Sequence, residues 1–262
     1  MARSIFPRFF RRLLAPALFL ILAACGGGGA PEPEPERAAG VAQDMPFQAR
    51  LDALSLPLTL PEGRAILVNI PSFELIAFED GVPVLRSRVI VGKPETRTPR
   101  MKTYTSAVIF WPSWRPTPEM VASGEVPDRV FPPGPDNPMG VLAIQLEPGL
   151  DVFMHDTNQR ELFGQPTRAF SHGCIRVERW AALAAWLLER DEASVRAMSA
   201  GPVTRRAETG PVPVLIRYFT VFPSEGGGVG VYPDIYGLAG GGTAFGMSTK
   251  NRAGCAPPIP KP

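Results

Sequence analysis

Between residues 64 and 222 the apolar residues come in short, β-branched runs separated by turn-forming residues, a spacing that commits this stretch to a strand-rich domain. Strands are expected over 64–70 and 74–79. Asp80-Gly81 tolerates the positive φ values of a tight hairpin, so it predicts a turn into a further strand over 84–91. The series continues over 103–111, 140–146, 151–154 and 212–222. Helical spacing is confined to a smaller region. Trp180, Leu183, Ala184 and Leu187 recur on one face of a helix over 178–189 and would pack on the sheet. A second short helix follows Asp191, a capping residue, and ends near Gly201-Pro202. The fold class is mainly β with a few short helices.

A chain of 262 residues holds one good-sized catalytic domain together with targeting and tail segments. Its formal net charge of +2 comes from interspersed acidic and basic residues, without the basic stripe that nucleic acid requires, so no nucleic-acid partner is expected. Proline and glycine concentrate in residues 25–40 and after Ser224, which marks the two ends as tethers.

The first 24 residues read as an export signal. Arg3, Arg8, Arg11 and Arg12 precede an apolar run over 13–22 that is short for a membrane span. The run ends in Leu22-Ala23-Ala24-Cys25-Gly26, which resembles a bacterial lipoprotein box, with Cys25 as the acylated residue. The expected location is therefore the periplasm, anchored to a membrane through an N-terminal lipid. Gly26 is not the aspartate that resembles an inner-membrane retention signal, so the outer membrane is the expected destination. Residues 25–60, with Gly26 to Gly29 and a Pro-Glu repeat, are expected to form a spacer and lead-in.

Both histidines of the chain stand shortly before the cysteine of its folded middle: His155, then Ser171-His172-Gly173-Cys174-Ile175-Arg176. A thiol is a poor nucleophile until a base takes its proton, and histidine does so near neutral pH. Acyl transfer also needs donors for the oxyanion, which the backbone around Gly173 can supply where the glycine permits a tight turn and close substrate approach. Cys174 is then the nucleophile and His155 the general base, reaching across from another strand. Two other possibilities stay open on these residues. His155, His172 and Cys174 are ligand types that zinc accepts, although their order lacks a zinc-peptidase motif. Alternatively, Cys174 is an inert core cysteine in a wall-binding lipoprotein without catalysis.

The pairing of His155 with Ser171-His172-Gly173-Cys174, in residue types and in spacing, resembles the L,D-transpeptidases with a YkuD-type catalytic domain. Val68-Asn69-Ile70-Pro71, Arg88-Val89-Ile90-Val91-Gly92, the proline-rich segment 132–140 and Asp234-Ile235-Tyr236-Gly237 resemble that family's larger proteobacterial branch. The resemblance covers about residues 61–238, leaving 239–262 as a flexible Gly/Pro-rich tail. It implies a β-sandwich or open-barrel-like catalytic domain. It also implies an enzyme that attacks the third residue of a peptidoglycan tetrapeptide stem, expels D-alanine and holds the stem as a thioester. An amine of another stem, or of an outer-membrane protein, would then resolve it. By the same resemblance His172 and Gly173 support the nucleophile, the carbonyl just after His155 orients the base, and no cofactor or metal is needed.

Ser171 completes the turn, and Arg176 is expected to favour the thiolate and a carboxylated stem, or else to form an ion pair with Glu178. Tyr104 and the stretch 111–114 would line a substrate groove or belong to the core. The stretch 116–131 is expected to be a modest loop rather than a long lid. This keeps L,D-carboxypeptidase activity, or hydrolytic release of wall-anchored proteins, as a rival to transfer. No structural disulfide is expected, with Cys255 a free thiol and residues 225–262 mobile apart from the part around Asp234 to Tyr236.

Overall fold

The computed structural model describes residues 44–239. The export signal, Cys25, most of the spacer and the tail with Cys255 lie outside the described residues. Among the described residues no helix is long and apolar enough to cross a membrane.

Among the described residues the first element is helix α1 (Phe47–Ala53), followed by strands β1 (Arg64–Asn69), β2 (Glu74–Glu79), β3 (Val82–Gly92), β4 (Met101–Tyr104) and β5 (Ala107–Phe110). Helix α2 (Pro118–Ala122) precedes β6 (Leu142–Gln145) and β7 (Phe153–His155). After a 3₁₀ turn come β8 (Ala169–Ser171), β9 (Ile175–Val177), α3 (Trp180–Leu188) and α4 (Glu192–Met198). The last strands are β10 (Arg205–Glu208), β11 (Pro213–Arg217), β12 (Val221–Pro223) and β13 (Val229–Val231). The expected hairpin is present: Asp80 and Gly81, at φ 48° and 78°, join β2 to β3. Both predicted helices form. Trp180, Leu183, Ala184 and Leu187 are buried beneath α3, and Asp191 caps α4 by accepting the Ser194 amide at 2.7 Å.

Among the described residues eleven strands share one mixed sheet in the order β10-β5-β6-β7-β9-β3-β2-β1-β11-β4, with β8 beside β3. The expected strand over 103–111 is instead two strands, and the break shows how the sheet curls. Thr105 donates its amide to Val212 beside β11, whereas Ser106 donates to Gln145 of β6. Tyr104 and Ala107 are three residues apart, so these distant parts of the strand order lie within roughly 10 Å of each other. The result is a half-barrel. The expected strand over 212–222 is also divided. Asn69, buried at the end of β1, offers Oδ1 to the Phe219 amide at 2.8 Å and donates Nδ2 to the Phe219 carbonyl at 3.0 Å. Beyond it, β12 pairs with β13 as a separate hairpin. Residues 229–231 are therefore strand, where a mobile segment was expected.

Alternation along the central strands divides the core. Ile66, Val68, Leu75, Ala77, Val214 and Ile216 face the main core with α3, while Leu67, Ile76, Phe78 and Leu215 face the opposite side. Helix α1 covers that second side. Phe47 packs edge-on against Phe78 and Phe222, with ring centroids 5.0 and 5.9 Å apart, and Arg50 donates to the Ser224 carbonyl at 2.7 Å. Part of the expected lead-in is thus integral to the fold, because both faces of β1 and β2 are apolar and need cover.

Phe47→Ala should cost about 3–5 kcal/mol, read as a lowered urea midpoint with unchanged slope. A loss below about 1 kcal/mol would place α1 outside the cooperative unit.

Candidate active site

Strands β7 and β9 run parallel with Met154 opposite Ile175 and His155 opposite Arg176, and β6 lies on the other side of β7 with Ala143 opposite His155. Side chains alternate between faces along a strand. Met154, Ile175, Leu142 and Ile144 therefore enter the main core, while Phe153, Ala143 and Cys174 share the opposite face with His155 and Arg176. A cavity of about 410 Å³ opens on this face. His155, Ser171, His172 and Arg176 line it together with Lys93, Trp114, Glu125, Met139, Gln159 and others. Cys174 is not among the lining residues. It is fully buried, in one apolar cluster with Trp114, Met120, Phe131, Met139, Ala143 and Phe153.

The turn before Cys174 is built around the end of β3. Its first limb, β8, pairs with β3 at Val91 and Gly92, and its second limb, β9, pairs with Val89 and Ile90. Gly173 reverses the chain between them at φ 111°, a conformation that a side chain would oppose. Thr98 ties the turn down. Its hydroxyl donates to the Gly173 carbonyl at 3.0 Å and accepts the Gly92 amide at 2.9 Å. Tyr236 completes the clamp, its buried hydroxyl donating to the Gly92 carbonyl at 2.7 Å and accepting the Thr98 amide at 3.1 Å. Ser171 is spent inside the turn: its hydroxyl donates to the Cys174 carbonyl at 2.5 Å and accepts the Gly173 amide at 3.1 Å. The side chain expected to meet substrate is thus structural. The Gly173 amide, one of the donors expected for an oxyanion, is likewise turned inward.

The Phe153 amide donates to the Cys174 sulfur at 3.1 Å, a contact that favours negative charge on the sulfur in its reduced form. Cys174 is disulfide-bonded here, and the other two cysteines, Cys25 and Cys255, lie outside the described residues. This corrects the expectation that no disulfide forms.

His155 is held by its ring Nδ1, which lies 2.5 Å from the Asp156 carbonyl oxygen, the orienting acceptor expected just after the base. Burial, and then the positive charge of Arg176, push its imidazolium down to about 3, against opposition from backbone hydrogen bonds to Asp156 and Met139. The ring is neutral at ordinary pH. Asp156 fixes this segment further. Its buried carboxylate accepts the Val141 amide at 3.1 Å and pairs with Arg160, and burial pushes its pKa up. Gly140 is required opposite it, since a Cβ there would stand 2.4 Å from Asp156 Oδ2.

Arg176 does not pair with Glu178, which instead holds Arg88. Its guanidinium donates to Gln159 Oε1 at 2.8 Å, and burial lowers its pKa to about 10. His172 places Nε2 at 2.9 Å from Glu125 Oε2; burial lowers its pKa, opposed by Glu125. Tyr104 stands elsewhere, at the end of β4 opposite Pro213. Trp111 anchors to the Ser199 carbonyl at 2.7 Å, whereas Trp114 lines the cavity and packs on Phe131 with centroids 5.3 Å apart. Among the described residues no group of three or more His, Cys, Asp and Glu side chains is arranged to hold a metal ion.

Several residues of the site had no role assigned to them from sequence. Asn137, buried in the proline-rich segment, donates to the Pro112 carbonyl at 2.7 Å and accepts the Met139 amide at 2.9 Å, fixing the wall beside Trp114. Lys93 and Glu125 meet across the mouth. Glu125 follows α2, a helix within the stretch expected to be a loop; Pro118 starts it and Thr117 caps it by accepting the Met120 amide at 3.3 Å.

Residues 63–214 match the YkuD family model, described as the L,D-transpeptidase catalytic domain. A putative L,D-transpeptidase of Haemophilus influenzae is 29% identical over 217 residues, covering 66% of this chain and 44% of that protein. A probable L,D-transpeptidase of Escherichia coli K12 is 35% identical over 130 residues, covering 47% of this chain and 40% of that protein. The chain thus spans less than half the length of either relative. Among solved structures, an L,D-transpeptidase from Mycobacterium smegmatis superposes with a TM-score of 0.34 at 18% identity, covering 59% of this chain and 58% of that one.

The depressed His155 pKa carries a signed consequence for stability. Between 6.5, its ordinary value, and about 3, the unfolded chain holds a proton on this ring that the folded chain does not. Its contribution to stability is therefore full above 6.5 and declines as pH falls through that window. Urea midpoints measured from pH 7 to pH 4.5 should fall more steeply for the native chain than for His155→Gln. Equal slopes would mean that the folded ring takes up its proton normally.

Proposed function

Because the chain belongs to the YkuD family of L,D-transpeptidase catalytic domains, we propose that it is a cysteine-dependent peptidoglycan L,D-transpeptidase. Its donor is a tetrapeptide stem, and its acceptor is an amine of a second stem or of an outer-membrane protein. The observation that carries this reading is the parallel register of β7 and β9, which sets the buried, neutral His155 beside Arg176 on the strand that follows directly on Cys174.

The chemistry follows from the hydrogen bonds. Nδ1–H donated to the Asp156 carbonyl leaves Nε2 as the proton acceptor. Nε2 takes the Cys174 proton as sulfur attacks the carbonyl of the third stem residue. The oxyanion so formed is met by backbone amides of the turn; with the Gly173 amide committed to Ser171, those of His172 and Cys174 are the candidates. Collapse breaks the bond to D-alanine, whose amine leaves with the proton from His155. The acyl group remains as a thioester. The acceptor amine then attacks it, His155 takes the amine's proton and returns it to sulfur, and a new amide bond is formed.

Arg176 serves both the thiolate and the stem. Its positive charge opposes protonation of His155 and favours an anion nearby. Acylation requires the reduced thiol, so the Cys174 disulfide must first be opened by an external dithiol, which is oxidised to its own disulfide in exchange. Transfer is favoured over hydrolysis by the apolar cover of Trp114, Met120 and Phe131 around Cys174, which limits water near the thioester. We further propose that Cys25 carries a lipid and that the domain works in the periplasm from the outer membrane.

The test is mass spectrometry of the reduced, detergent-solubilised full chain incubated with disaccharide-tetrapeptide. An adduct on Cys174 with loss of D-alanine, followed by a dimer joined through the third residues, is expected. Tripeptide as the sole product in the presence of acceptor stems would identify a hydrolase. Cys174→Ala should abolish the adduct, and His155→Ala should slow acylation by about 10²- to 10⁴-fold. A negligible loss in His155→Ala would transfer the base role to His172.

A further inference from the structure

Glu125 is the single carboxylate among the residues lining the active-site cavity, and it is held by two donors at once. Its Oε2 atom lies 2.9 Å from Lys93 Nζ and 2.9 Å from His172 Nε2. The hydrogen bond to Lys93 is the main reason that its pKa lies below the ordinary carboxylate range. The two donors come from the floor of the site. Lys93 follows the last residue of β3, and its amide donates at 2.9 Å to the Ser171 carbonyl, which also accepts the Thr96 hydroxyl at 2.9 Å. The Lys93 backbone is thereby fixed against the turn that carries Cys174. His172 belongs to that turn. Glu125 comes from a different segment, the one that contributes Met120 and Phe131 to the apolar cluster of Cys174. Gly124, at φ 75°, precedes it with nothing within 4 Å of a would-be Cβ.

We propose that Glu125 is a latch that holds the cap 117–131 over Cys174, its carboxylate occupying the Lys93–His172 pair that receives a carboxylate of the donor stem when the site is filled. Lys93 is then a specificity-determining residue. This inference rests on the transpeptidase reading for the identity of the donor, whereas the latch itself does not depend on turnover.

Three observations carry it. The cavity without Glu125 holds Lys93, Arg176 and the two histidines, a set suited to an anion. The latch is weak enough to be displaced: Glu125 is 45% exposed and Lys93 35% exposed, and solvent-exposed pairs contribute only about 0–1 kcal/mol. Finally, Cys174 is fully buried, does not line the cavity, and shares one apolar cluster with Met120 and Phe131 of the cap, so movement of the cap opens a path from the cavity to the reduced sulfur. Exchange of one carboxylate for another couples that movement to arrival of the correct substrate.

Two readouts test it in the full chain in detergent. The first is the iodoacetamide labelling rate of reduced Cys174, which needs no substrate. Glu125→Gln should raise this rate severalfold, and an unchanged rate would overturn the latch. The second is calorimetric binding, in a Cys174→Ala background, of a tetrapeptide stem and of the same stem as its C-terminal carboxamide. Lys93→Ala should weaken the acid about tenfold and the carboxamide less than about twofold, while Lys93→Arg retains the acid. Equal losses for both ligands, or no loss for either, would overturn Lys93 as the carboxylate partner. Failure of the native chain to form any thioester, with both of these responses intact, would instead sink the transpeptidase reading alone.

Discussion

The parallel register of β7 and β9 is the constraint on which the remaining geometry depends. It sets Met154 opposite Ile175 and His155 opposite Arg176. Because side chains alternate, one choice of register decides two things together: which residues complete the main core, and which residues face the cavity. A slip by one residue would drive His155 and Arg176 into the apolar core and expose Met154 and Ile175 in their place. The core therefore enforces the site. Burial of Met154, Ile175, Leu142 and Ile144 against the helices holds the register that the polar face needs. A parallel pair also requires a crossover, and here that crossover carries β8 and the Ser171–Gly173 turn, wrapped around the end of β3.

Charges placed beside this register make the site rigid. Asp156, Arg176 and His155 are all substantially buried, and each is desolvated. Burial of charge is costly unless hydrogen bonds compensate. Asp156 meets that requirement through the Val141 amide and Arg160, and Arg160 also donates to the Glu178 carbonyl at 2.8 Å. The carbonyl that orients His155 therefore belongs to a residue pinned on two sides. Arg176 is less completely satisfied. Its Nε has no partner among the described residues, while one terminal nitrogen is held by Gln159. A guanidinium in that condition has capacity for an incoming acceptor, and its charge adds to burial in keeping His155 neutral.

What could be read from sequence was what is encoded locally. The Asp80-Gly81 turn, the apolar face of α3 and the Asp191 cap each rest on a few adjacent residues, and the His155 to Cys174 spacing is itself a sequence feature. The misses are of other kinds. Strands β8, β9 and β10 have only three, three and four residues, too few for alternation to register. Residues 103–111 are β-favourable throughout, and only sheet closure, which sends Thr105 and Ser106 to different partners, breaks the strand. Asn69 ends a strand by hydrogen bonds to Phe219, 150 residues away in the chain. The Lys93–Glu125–His172 contact joins three segments and has no linear signature. Tyr104 illustrates the opposite error: an aromatic residue offers a plausible groove wall, yet its strand lies at the far end of the sheet order.

The cap reconciles two demands that oppose each other. A thioester is protected when water is excluded, but a thiol attacks only when substrate can reach it. The apolar contacts of Trp114, Met120 and Phe131 meet the first demand, and burying even one such side chain is worth about 1.5–3 kcal/mol. A strong polar lock added to them would hold the site shut. The Lys93–Glu125–His172 contact avoids this because it is partly exposed, so solvent competes with each partner and little free energy separates it from the same donors holding another carboxylate. Selectivity then comes from exchange rather than from strength. In the proposed latch, a ligand without a carboxylate opens the apolar cover and leaves Lys93 and His172 without an anion, whereas a carboxylated ligand opens it and replaces what it displaces. Differential affinity for the open state, which any ligand-driven opening requires, is in that proposal supplied by residues anchored to the turn that bears Cys174.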